Sequence, residues 1–156
     1  MMGEELLRLF DPSRCTFDLR ATGKDAALQE ILGLVAPAGS PHHQSLVDLL
    51  CKREALGTTA AVKGVALPHG RSLAVTRLTG IFARSRRGVD FGAADGAPTH
   101  VFFVLLAPPH KRAYPYLPAL GRIVEILQDD ALRRRLFAAD HFEEFAAVIA
   151  AGHPAG

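Results

Sequence analysis

The sequence predicts an α/β domain in which a mixed β-sheet is sandwiched between helices. Residues 101–107, Val-Phe-Phe-Val-Leu-Leu-Ala, are apolar without interruption, the pattern of a central strand covered on both faces. Segments before and after this run repeat apolar residues at helical spacing. The chain has 156 residues, 49% of them hydrophobic, enough for one core-bearing domain, read here as spanning 1–156.

The first helix is predicted over 24–35, where Leu28, Ile31, Leu32 and Val35 share a face and Thr22 caps the start with Asp25 three residues on. Gly39 and its flanking prolines stop it. A second helix carries Leu46, Leu49 and Leu50 and ends near Gly57. Strand character follows over 72–85, where Leu73, Val75, Leu78 and Phe82 partly alternate, and again over 101–107. Helical spacing returns over 114–128 through Leu117, Leu120, Val124 and Leu127, and once more through Phe142, Phe145, Ala146 and Ile149. Residues 151–156 read as a frayed tail.

Composition narrows the function. Lys and Arg number 18 against 16 Asp and Glu, a net charge of +2, so the chain lacks the basic excess of a nucleic-acid binder. Cys15 and Cys51 supply neither a CxxC pair nor a four-cysteine zinc site, and they read as reduced thiols. The N-terminus is acidic where a secretory signal is basic. The longest apolar run is too short to span a bilayer, which points to a cytoplasmic protein without membrane insertion. No metal-ligand spacing is present, and no cofactor is expected. His42 and His43 open a helix, His100 precedes a strand and His141 lies near a helix start. Arg84, Arg86 and Arg87, like Arg133, Arg134 and Arg135, read as solvated faces, either of them able to receive an acidic partner.

The chemistry concentrates in Gly57-Thr-Thr-Ala-Ala-Val-Lys-Gly-Val-Ala-Leu-Pro-His-Gly-Arg71. His69 stands between a proline that fixes its own φ and a glycine that permits close approach. An imidazole held there offers a neutral nucleophilic nitrogen near pH 7.

Leu49-Leu-Cys-Lys-Arg-Glu-Ala-Leu-Gly-Thr-Thr59 followed by Gly64-Val-Ala-Leu-Pro-His-Gly-Arg71 resembles the type-2 IIA domain of the phosphoenolpyruvate-dependent phosphotransferase system. This is the mannitol and fructose class, which includes the nitrogen-regulatory IIA proteins. Asp18-Leu-Arg-Ala-Thr-Gly-Lys24, Gly88-Val-Asp-Phe91, Asp95-Gly96 and the 102–108 strand resemble its other blocks. The resemblance implies a phosphocarrier that takes a phosphoryl group from HPr or an HPr-like carrier onto the histidine of Pro-His-Gly, here His69. It passes the group to a IIB domain or serves as a regulatory mark. Phosphoryl transfer asks for positioning and for charge around three oxygens, and Arg53 and Arg71 are the cations in place to supply it. Thr58 and Thr59 could add hydroxyl donors.

Two departures stand out. Lys63 replaces a small turn-forming amide. Tyr116, ahead of Leu117 and Leu120, occupies the place of a second histidine that helps to hold the phosphoryl group in many members. A tyrosine hydroxyl donates a hydrogen bond but carries no positive charge; His110, six residues earlier, is the other candidate helper. These departures keep open an alternative, a IIA-fold binding module that regulates a target by contact without efficient transfer. No IIB or membrane-spanning segment accompanies the domain, which inclines the reading toward the regulatory type.

Overall fold

In a computed structural model that describes residues 1–60, 63–109 and 115–151, the continuous apolar run becomes the middle of a five-stranded sheet. Strand β4, Thr79–Val89, and strand β5, Thr99–Ala107, form its antiparallel centre. Strand β1, Cys15–Thr16, adds to β4 in parallel. Strands β2, Val65–Ala66, and β3, His69–Arg71, add successively to the outer side of β5, also in parallel. The sheet is therefore mixed, as the sequence predicts.

The alternation of β5 divides the interior in two. Val101, Phe103, Leu105 and Ala107 enter one core, with helices α1 (Gly3–Leu7), α4 (Tyr116–Gln128), α5 (Asp130–Ala138) and α6 (Phe142–Ala151). Phe102, Val104 and Leu106 enter the other, with α2 (Lys24–Leu32) and α3 (Pro41–Ala55). A strand whose successive side chains meet helices on opposite faces must be apolar throughout. Phe82, Phe103 and Phe145 fill the first core, with ring centroids 4.4 Å apart for Phe82 and Phe145. Each buried ring contributes about 1.5–3 kcal/mol through burial.

Several expectations need correction. Helix α2 starts at Lys24 with Gly23, not Thr22, at its cap, and closes at Gly33. The Thr22 carbonyl instead accepts from Asp90 N–H, and Gly23 bridges Asp90, which draws this backbone toward the sheet. Residues 72–78 form a turn rather than strand: the Ser72 hydroxyl accepts from Ala74 N–H and the Ser72 carbonyl from Val75 N–H. Leu73 is exposed there. His100 lies inside β5, its Nδ1 2.8 Å from the Ser85 carbonyl. His43 is buried, with Nε2 2.9 Å from the Gln29 carbonyl.

The arginine runs are not uniformly solvated. Arg84 is buried and reaches Asp140 and the Phe137 carbonyl, because its place on β4 faces the α5–α6 junction. Arg133 is largely covered and bonds Asp130 and the Leu127 carbonyl. Helix α5 was absent from the apolar pattern, because three arginines interrupt it; Asp129, which caps it by accepting from Leu132 N–H, is the local signal for its start.

Candidate functional site

His69 owes its place to a break in the sheet's outer strand. Val65 and Ala66 pair with Val101 and Phe102; after Leu67 and Pro68, His69 pairs with Leu105 and Arg71 with Ala107. Proline has no N–H to donate, and an edge strand is where its absence is tolerated. Pairing continues through the Pro68 carbonyl, which accepts from Leu105 N–H at 3.1 Å.

Alternation then sorts the motif. His69 and Arg71 lie on the side of the α4 core, like their partners Leu105 and Ala107. Gly70 lies toward α3, where a Cβ would come within 3.1 Å of Leu49 Cδ2. A larger residue there would press on the Leu49 side chain, so glycine between His69 and Arg71 lets α3 pack close to the strand.

The His69 Nδ1 lies 2.6 Å from the Leu67 carbonyl oxygen. A carbonyl only accepts, so Nδ1 carries the proton and Nε2 keeps its lone pair. Half-buried, the ring meets Tyr116 edge to face, with centroids 6.3 Å apart. The Arg71 guanidinium lies over the same tyrosine ring, 5.2 Å from its centroid, a cation–π contact.

Tyr116 is the first residue of α4 and 7% exposed. The sequence pattern aims Leu117 inward, yet Leu117 is exposed and Tyr116, Ala119, Ile123 and Ile126 form the buried stripe. This rotation of the helix brings the tyrosine to the histidine. Burial pushes its phenol above the ordinary range, against the opposing fields of Arg71 and Arg53. The hydroxyl is thus a neutral donor at physiological pH.

Arg53 lies in the last turn of α3, one guanidinium nitrogen donating to the Gly57 carbonyl at 2.9 Å. His69, Tyr116 and Arg71 thus meet at the sheet edge, and Arg53 is near enough for its charge to act on the Tyr116 phenol. The positive end of the α4 dipole adds to the charge there.

The threonines have other employment. The Thr58 hydroxyl accepts from Ala60 N–H, and the Thr59 hydroxyl donates to Glu54, whose carboxylate also accepts from Thr59 N–H. Glu54 is buried and was not singled out in the sequence. Its spacing was the available signal, since it continues the inward stripe of His43, Val47 and Leu50 along α3. Lys63 is exposed and adds its positive field to Asp130, and Gly64 beside it takes φ +70°. His110 lies outside the described residues. Leu56, Leu73 and Leu117, each close in sequence to a site residue, are exposed. Among the described residues no three His, Cys, Asp or Glu side chains group as metal ligands, and no helix is long and apolar enough to cross a membrane.

Residues 8–152 match the family described as "Phosphoenolpyruvate-dependent sugar phosphotransferase system, EIIA 2". A nitrogen regulatory protein of Bradyrhizobium diazoefficiens is 36% identical over 132 residues, 85% of this chain and 86% of that protein. The fructose-specific EIIA component of Haloferax volcanii is 30% identical over 128 residues, 81% and 82% of the two chains. Among solved structures, nitrogen regulatory protein IIA-Ntr of Neisseria meningitidis superimposes with a TM-score of 0.78 at 29% identity, covering 94% of this chain and 97% of that one. The Escherichia coli complex of enzyme IIAMTL with phosphorylated enzyme IIBMTL has a TM-score of 0.73 at 18% identity, covering 90% and 98%, a likeness of fold.

Proposed function

We propose that this chain, which belongs to the EIIA 2 family of the phosphoenolpyruvate-dependent sugar phosphotransferase system, is a phosphocarrier whose His69 Nε2 accepts the phosphoryl group. The observation that carries this reading is the Nδ1–H bond to the Leu67 carbonyl, which leaves Nε2 as the ring's nucleophile. The donor is a phosphohistidine on HPr or an HPr-like carrier. A bond forms from Nε2 to phosphorus while the carrier's nitrogen–phosphorus bond breaks, and the Nδ1 proton stays in place throughout. Arg71 and Arg53 offset the charge on the phosphoryl oxygens, and the Tyr116 hydroxyl donates to one of them. Transfer of this kind depends on positioning and electrostatics, with little covalent chemistry left to the protein.

The downstream partner is a IIB domain or a regulatory target, since relatives of both the nitrogen-regulatory and the fructose-specific kind align over most of the chain. The exposed leucines Leu56, Leu73 and Leu117 offer the apolar contacts by which such a partner would seat over the histidine. The same reading puts the protein in the cytoplasm with its carrier. Tyr116 in place of a second histidine favours one other reading, a binding module that acts by contact alone.

Intact-protein mass decides between them, measured after incubation with phosphoenolpyruvate, the system's first enzyme and an HPr-type carrier. Neutral or alkaline conditions are needed because a phosphoramidate is lost in acid. One added phosphoryl group on the wild type and none on His69→Ala is the expected result. No addition with several carriers would overturn the phosphocarrier reading in favour of the contact module.

A further inference from the structure

We infer that Glu54 is a positioning residue for His69, acting through a hydrogen-bonded chain that fixes which ring nitrogen is free; the inference rests on the reading of His69 as the phosphoryl acceptor. The chain has three links. The Glu54 carboxylate accepts from Thr59 at both the backbone N–H, 3.2 Å, and the hydroxyl. The Thr59 carbonyl accepts from Leu67 N–H at 3.2 Å. The Leu67 carbonyl accepts from His69 Nδ1–H at 2.6 Å. A carboxylate in α3 is thereby tied to the proton-bearing nitrogen of a histidine on the sheet edge.

Glu54 is an expensive way to fill its place. Its side chain is 1% exposed, and a buried carboxylate is tolerated only when its acceptor sites are filled. An apolar side chain would continue the stripe of Val47 and Leu50 without that cost. The carboxylate is instead filled by Thr59 and by Lys24, whose ammonium lies 3.4 Å away and over the Phe91 ring. Lys24 opens α2, so the same carboxylate joins α2, α3 and the loop that carries Thr59.

Strand pairing does not hold the Leu67 peptide groups, although the half-buried side chain packs against the core on the α4 side. Leu67 falls in the gap between β2 and β3, and its N–H goes to Thr59. If Thr59 is released, the Leu67 peptide groups can turn and the His69 ring can exchange its two neutral tautomers. The exchanged form carries its proton on Nε2 and its lone pair on Nδ1, so Nε2 can no longer attack phosphorus. Displacements of about 1 Å are enough to cost a reaction up to about a hundredfold.

The test uses full-length protein labelled with nitrogen-15 in histidine, at about pH 8, above the ordinary imidazole range. Ring-nitrogen shifts of the unphosphorylated protein report the tautomer, and intact mass reports the rate of phosphoryl acceptance. Glu54→Ala should mix the His69 tautomers and slow acceptance about tenfold. Glu54→Gln should restore the wild-type shifts and bring the rate to within about threefold, because its amide oxygen still accepts from Thr59 N–H and its amide hydrogens meet the Thr59 hydroxyl oxygen. Wild-type ring shifts in Glu54→Ala would overturn the inference, whatever the rate does. Should Glu54→Ala fail to fold, Glu54→Leu fills the same place with an apolar side chain that accepts nothing from Thr59; mixed tautomers there support the inference, and wild-type shifts overturn it. Since the shifts are measured without phosphate, they stand apart from the phosphocarrier reading, which fails only if the wild type accepts no phosphoryl group or His69→Ala accepts one.

Discussion

Removing one oxygen from Tyr116 separates its two contributions. In Tyr116→Phe the ring stays under the Arg71 guanidinium and within the α4 core, so thermal stability should change little. What is lost is a neutral donor on a residue 7% exposed to solvent, where water cannot readily replace it. A hydrogen bond to a charged acceptor is worth about 1.5–3 kcal/mol. In the proposed transfer Arg71 and Arg53 would share the work of offsetting the phosphoryl charge, so the lower end applies. At about 1.4 kcal/mol per factor of ten, acceptance should slow about tenfold. The assay is a mass-resolved time course with phosphorylated carrier in limiting amount, run beside a melting curve. An unchanged rate with an unchanged melting point would refute the assignment of the hydroxyl as a donor. A slowed rate with a lowered melting point would show that the ring's packing, not the hydroxyl, carries the effect.

Two predictions concern stability. Gly64 takes φ +70°, and a Cβ there would lie 2.8 Å from the Phe137 ring, so Gly64→Ala should cost about 3 kcal/mol in a urea titration; a loss below about 0.5 kcal/mol would mean that the ring yields freely. Burial raises the Cys15 thiol from its usual value of 9.0 to about 12. With the folded value raised, the unfolded chain loses its proton first, so this stabilisation is fully present below about pH 9 and disappears as pH rises toward about 12. Cys15→Ser should flatten the alkaline fall in stability measured by denaturant, and an identical fall in the variant would assign it elsewhere.

The parts of the fold legible in the sequence are those where a single periodicity rules. The 101–107 run announced a strand covered on both faces, and the apolar residues of 41–57 and 142–149 announced α3 and α6. The boundaries went astray where backbone pairing outranked side-chain preference, as at Thr22 and Gly23, whose pairing with Asp90 sets the start of α2. Leu73 matched an alternating strand, but the turn begun at Ser72 leaves it in solvent. Arg84 looked like one more surface cation until Asp140, far along the chain, supplied its partner. The site divides similarly. Pro-His-Gly and the arginines were readable as residue types in sequence, while the Leu67 carbonyl that fixes the proton of His69 belongs to the backbone and has no spelling.

The short outer strands have a bearing on how the protein keeps its own company. One border of the sheet is the two-residue β1, and the other is β2 and β3, separated by Leu67 and Pro68. Long, flat, unpaired borders invite another copy to add a strand and begin an aggregate. Here neither border offers more than three residues in register, and a proline interrupts the one that bears His69. A visiting protein must therefore meet the histidine through side chains rather than by extending the sheet. Such a contact can be released after each encounter, as the proposed carrier role requires.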